Sequence, residues 1–128
     1  MPRLRVLVAD DHPAALQGLI SLLSIEFEVV ASAEDGNTAL DLIRTKKPEV
    51  AVLDLRMPGL SGLDITRELA KHPSSPPVVI CAAETDSDIV QAALQAGALS
   101  FVFKARLKAD LILAVKFAAQ GKSFISPP

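Results

Sequence analysis

Asp10 and Asp11 follow the apolar run Leu4-Arg5-Val6-Leu7-Val8-Ala9, and Asp54 follows Val50-Ala51-Val52-Leu53. If the two runs lie side by side as parallel strands, their carboxyl ends coincide. The three carboxylates then meet in the crevice where open α/β sheets bind ligands. Carboxylates within a few ångströms repel one another, so either some take up protons or a divalent cation neutralises them. The natural candidate is Mg²⁺. It is a hard ion held by one or two carboxylates in octahedral geometry, with waters and phosphate oxygens filling the other positions.

Positioning these groups requires strands and helices in alternation, and the chain has that pattern. Apolar runs at 4–9, 28–31, 49–53, 77–82 and 100–103 predict strands; stretches at 13–25, 35–46, 61–71, 86–96 and 108–119 predict helices. In the first helix Leu16, Leu19, Ile20 and Leu23 fall on one face, and Gln17 and Ser21 fall elsewhere. Five such repeats give an α/β fold with a doubly wound, five-stranded parallel sheet. With right-handed crossovers and strand order 2-1-3-4-5, strands one and three are neighbours at the switch point, where the carboxylates must meet. Pro13 suits the first turn of a helix capped by Asp11 or His12, Ser61 suits the cap of the third helix, and Gly97 suits a left-handed end to the fourth.

The 128 residues, 50% hydrophobic and 22% charged, fit one globular domain with a real core. A formal charge of -2 provides no overall basic field for nucleic acid. The single cysteine, Cys81, lies in the apolar run at 78–82, which excludes disulfide stapling and makes the reducing cytoplasm the expected compartment. No leader opens the chain, and no apolar stretch approaches the roughly 18 residues of a membrane span, so no membrane role is expected.

Four separated motifs carry a family resemblance: Ala9-Asp10-Asp11-His12-Pro13, the run from Leu53 to Gly62 (LDLRMPGLSG), Ala96-Gly97-Ala98, and Phe101-Val102-Phe103-Lys104. In this order and spacing they resemble the landmarks of bacterial two-component response-regulator receiver domains, most closely the NarL/FixJ subfamily, also called LuxR-type. The resemblance covers about Leu4 to Gly121. It implies a flavodoxin-like (βα)5 fold in which Asp54 accepts a phosphoryl group from a sensor histidine kinase. Asp11 and Asp54 would bind Mg²⁺ directly with the carbonyl of Arg56, and Asp10 would act through a bound water. The chain would be a signalling domain and not an enzyme, beyond taking on and losing its own phosphoryl group.

Elementary electrostatics supports the same assignment. A carboxylate attacks phosphorus only where the repulsion between two anions is screened, and an adjacent divalent cation with a lysine ammonium does that. Lys104 closes the fifth predicted strand as Asp54 closes the third, so both reach one crevice. Against this stand blander readings. Asp10 and Asp11 also suit a helix cap, but a cap needs one aspartate. His12 has no second histidine nearby and reads as a loop residue, and Cys81 reads as a small core residue.

The departure from the family is Ala82. Receivers usually carry Ser or Thr at the end of strand four, where the hydroxyl bonds the phosphoryl oxygen. Counting back from Lys104 or from Gly97 lands on Ala82, and its neighbours Cys81 and Ala83 have no hydroxyl either. Thr85 is the nearest. The partner aromatic position is Phe101, expected to swing between buried and exposed rotamers. Residues 1–121 therefore read as a receiver and 122–128 as the start of a linker to a helix-turn-helix output domain absent from this chain. DNA would be bound through that domain and not by this one.

The cations Arg106, Lys108, Lys116 and Lys122 outnumber Asp110 after Ala105, and without interleaved aromatics they read as a protein-contact or solvated face. Weak homodimers are expected through helices one and five or four and five. Two other classes are weighed. Ala82 favours a phosphorylation-independent interaction module. A Mg²⁺-dependent phosphohydrolase would need a second carboxylate where Arg56 stands.

Overall fold

The computed structural model describes residues 3–84 and 86–127. The chain alternates β1 (Arg5–Ala9), α1 (Pro13–Leu23), β2 (Glu28–Ala33), α2 (Gly36–Lys46), β3 (Val50–Asp54), α3 (Gly62–Ala70), β4 (Val78–Ala82), α4 (Ser87–Ala96) and β5 (Ser100–Phe103). A 3-10 turn at Lys104–Arg106 leads into α5 (Leu107–Ala119), and β6 (Phe124–Ile125) follows. All strand pairs are parallel, in the order β2-β1-β3-β4-β5-β6. The expected order 2-1-3-4-5 therefore holds, with one strand added and one boundary moved. The sheet has six strands and not five, and Phe124–Ile125, read as the start of a linker, pair with Ser100 and Phe101.

Helices cover both faces of the sheet, so the central strands β3 and β4 are apolar at every position but Asp54 instead of alternating. β3 and β4 are buried throughout. On one face Val6, Val8, Val52, Cys81 and Val102 pack against Leu16, Leu19 and Leu23 of α1 and Leu111, Ala114 and Val115 of α5. On the other, Leu7, Leu53, Ile80, Ala82, Phe101 and Phe103 pack against side chains of α2, α3 and α4. The alternation of side chains along each strand makes this division.

Caps set the helix starts. Asp35 accepts from the Thr38 amide at 2.8 Å. Ser61 and Asp64 form a reciprocal capping box on α3. Gly97 ends α4 at φ 115°, a left-handed position where glycine has no Cβ penalty. At α1 the N-cap is His12, with Pro13 in the first turn and no side chain bonding the free amides. Asp10 and Asp11 are thus free of the capping role.

Candidate functional site

β1 and β3 pair with Ala9 opposite Leu53, so the residues that follow emerge together at the carboxyl edge of the sheet. Asp54, Cys81 and Val102 lie side by side on β3, β4 and β5. Lys104 comes two residues after Val102 and thus returns to the face of Asp54. Asp10 comes two after Val8 and shares that face. Sheet register alone brings two carboxylates and an ammonium to one point.

Lys104 Nζ lies 2.8 Å from Asp10 Oδ2 and 3.2 Å from Asp54 Oδ1. Asp10 is completely buried, and its other oxygen accepts from the His12 amide at 2.9 Å. Burial above all, and then the charge of Asp10, push Asp54 up to about 6 despite Lys104. Burial alone would lower Lys104, but its hydrogen bond to Asp10 and the charge of Asp54 outweigh that and hold it above its ordinary value. The lysine is therefore a fixed cation, and Asp54 a carboxylate whose charge is costly in this setting.

Single oxygens or nitrogens of Asp10, Asp11, His12 and Asp54 lie within 4.8 Å of one another. Asp11 Oδ1 is buried and has no hydrogen-bond partner among the described residues. His12 Nδ1 comes within 3.0 Å of it without forming a hydrogen bond, on a side chain that is 73% exposed. An orphaned carboxylate oxygen beside two other carboxylates is the donor set a hard divalent cation would complete. The residues present fit Mg²⁺. His12, read as a loop residue, is the one member of this cluster that the sequence reading left out.

The remaining expected residues frame the mouth. Arg56, in the loop after β3, bridges to Glu84 through Nε and Oε1, and its guanidinium holds that carboxyl below the ordinary range. Ala82 ends β4 fully buried, on the opposite sheet face from Asp54 and in one cluster with Phe101. Phe101 is turned inward, completely buried and edge-on to Phe103 at 5.5 Å. Thr85 lies outside the described residues. Burial pushes the Cys81 thiol up to about 12, so the cysteine beside Asp54 stays protonated and inert.

The response regulator receiver domain family matches residues 6–116. The chain belongs to that family. It is 35% identical over 127 residues to the probable transcriptional regulatory protein NarL of Mycobacterium tuberculosis, covering 98% of this chain and 59% of that protein. The signal receiver domain of the putative response regulator NarL from M. tuberculosis superposes with a TM-score of 0.91 at 35% identity, over 95% of this chain and 100% of that one. A LuxR-family two-component response regulator from Aurantimonas also gives 0.91, at 29% identity, over 99% of this chain and 91% of that one. This receiver is therefore of the NarL/LuxR type. Like other receivers it is a signalling domain with an acidic pocket of the kind that generally binds Mg²⁺, and it spans about 59% of the curated relative named above. No helix among the described residues is long and apolar enough to cross a membrane.

Proposed function

We propose that this receiver takes a phosphoryl group on Asp54 from a phosphohistidine of a sensor histidine kinase in the cytoplasm. It passes the signal to a transcriptional output domain that follows it in the whole protein. The observation that carries the reading is the contact of one ammonium, Lys104, with both Asp10 and Asp54 beside the unpartnered oxygen of Asp11. Asp11, Asp54 and the Arg56 carbonyl would hold Mg²⁺, with Asp10 acting through a water. When bound, the ion neutralises charge on the phosphoryl oxygens. A carboxylate oxygen of Asp54 bonds to phosphorus as the phosphorus–nitrogen bond breaks and the histidine leaves with its electron pair. Lys104 reduces the repulsion between the two anions and meets a phosphoryl oxygen as charge develops there. The receiver runs through β6, the linker follows that segment, and DNA is contacted only by the output domain.

The test is mass spectrometry after exposure to acetyl phosphate. The chain should gain one phosphate with Mg²⁺, lose that gain on chelation, and lose it in Asp54→Asn. Equal labelling of wild type and Asp54→Asn would sink the assignment. Asp11→Asn should weaken metal binding more than Asp10→Asn, because it removes a direct ligand.

Ala82 favours a second reading, a receiver that works through protein contacts whatever the state of Asp54. No hydroxyl stands at the end of β4, and Phe101 is already packed inward. It predicts the same partner affinity for wild type and Asp54→Asn. The dimer surface we assign to the groove of about 720 Å³ between α1 and the start of α5. That groove runs from Asp10 and Lys104 past Gly18 and Leu22 to Leu107 and Ile25, the last 63% exposed.

A further inference from the structure

One buried carboxylate lies outside the chemistry above. Asp110 on α5 is 5% exposed and takes a forked contact from Arg106, at 2.7 Å from Nε and 3.3 Å from Nη2. The hydroxyl of Ser126 donates to it at 2.8 Å. Ser126, 2% exposed, also accepts from the Phe103 amide at 3.2 Å, and its own amide donates to the Phe101 carbonyl at 2.9 Å. Phe103 and Arg106 flank Lys104. The pocket holds Lys104 from one side, while Ser126 and Asp110 hold its neighbours from the other.

We propose that Ser126 and Asp110 form a latch that keeps the segment leaving the domain on β5, and that the latch loosens when Lys104 is drawn onto an anion at Asp54. The inference rests on reading Asp54 as the phosphoryl acceptor. A phosphoryl group adds negative charge beyond Asp54 Oδ1, so the ammonium moves outward to meet it. The 3-10 turn that carries Lys104 is three residues long and ends at Arg106, which is pinned to Asp110, so it has little slack to absorb the shift. The contact from the Phe103 amide is the longest that Ser126 makes and yields first. With alanine at 82, this route from pocket to chain exit needs no hydroxyl on β4.

Coupling of this kind is reciprocal, so whatever breaks the latch must also favour loading. Amide hydrogen exchange of the chain, followed by NMR with and without beryllofluoride and Mg²⁺, tests both directions. Loading should speed exchange at the Phe103 and Ser126 amides by about two- to tenfold, the worth of one neutral hydrogen bond, and leave Val79 unchanged. Ser126→Ala should make the amide at position 126 fast without ligand and tighten beryllofluoride binding by a similar factor. Bound beryllofluoride seen by fluorine NMR, with both wild-type amides unmoved, overturns the latch and leaves the Asp54 reading standing. Absence of bound fluoride, together with no labelling by acetyl phosphate, overturns both. The wild-type comparison decides the matter even if the alanine variant fails to fold.

Discussion

At the scale of single residues, the pocket holds charge at a cost. Asp54 titrates at about 6 when folded, against about 3.9 for an unperturbed aspartate. The native chain therefore keeps this proton at pH values where the unfolded chain has lost it, and ionising Asp54 lowers stability as pH rises. The penalty is absent below about pH 4 and complete above about pH 6. With a chelator present, Asp54→Asn should raise the unfolding free energy at pH 7.5 by about 1–3 kcal/mol and leave it unchanged near pH 4, as read by urea denaturation at the two values. Mg²⁺ held by the folded state, as proposed above, should close that gap. Ala82 leads to a different expectation. A hydrogen bond to a charged phosphoryl oxygen is worth roughly 1.5–3 kcal/mol, so on the proposed reading its absence should cut the population shift on phosphorylation by about one to two orders of magnitude. Ala82→Thr should enlarge the NMR shift changes at Phe101 and along α4 on adding beryllofluoride with Mg²⁺. If wild type already shows the full change and the threonine adds nothing, the hydroxyl is dispensable in this receiver.

At the scale of elements, the close meeting of β3 and α3 is what aims Asp54. A Cβ on Gly62 would stand 2.5 Å from the Asp54 carbonyl oxygen and 3.0 Å from Ile80 Cδ1. Gly62→Ala must therefore push the end of β3 away from α3. It should cost roughly 1–3 kcal/mol in urea unfolding and slow phosphate uptake at Asp54, whereas an alanine at Gly18, where a Cβ meets nothing, should do neither. This geometry also shows what was readable in advance. The apolar runs leading to Asp10 and Asp54 set β1 and β3 side by side, and Lys104 could be placed because it directly follows β5 as Asp10 follows β1. Phe124–Ile125 was not readable, since two residues carry no periodicity and their pairing with β5 depends on where α5 ends. The bond from Ser126 to Asp110 spans 16 residues and leaves no local pattern. His12 was discounted for want of a second histidine, yet three aspartates supply the rest of its cluster. β2 runs on to Ala33, past the expected end at residue 31, because a half-buried strand with serine and alanine has a weak apolar signal.

At the scale of the whole molecule, the groove between α1 and α5 begins at Asp10 and Lys104, so a partner seated in it would touch the same elements that hold the pocket. Ile25→Glu should abolish any concentration-dependent rise in sedimentation coefficient while leaving phosphate uptake intact; a strict monomer in wild type, with and without beryllofluoride, would remove the dimer. The late basic stretch does not weaken this assignment, since Arg106 is paired with Asp110 and Lys116 with Glu26. β6 has a further consequence, for solubility. A sheet ending at β5 would present the unpaired backbone of Ser-Phe-Val-Phe, an apolar template on which another chain could add a strand. The two residues of β6 pair with Ser100 and Phe101, the Ser126 hydroxyl takes the Phe103 amide, and Pro127 has no amide with which to continue a ladder. A chain cut after Gly121 should keep its phosphate chemistry yet aggregate on warming, with thioflavin binding that the longer chain lacks.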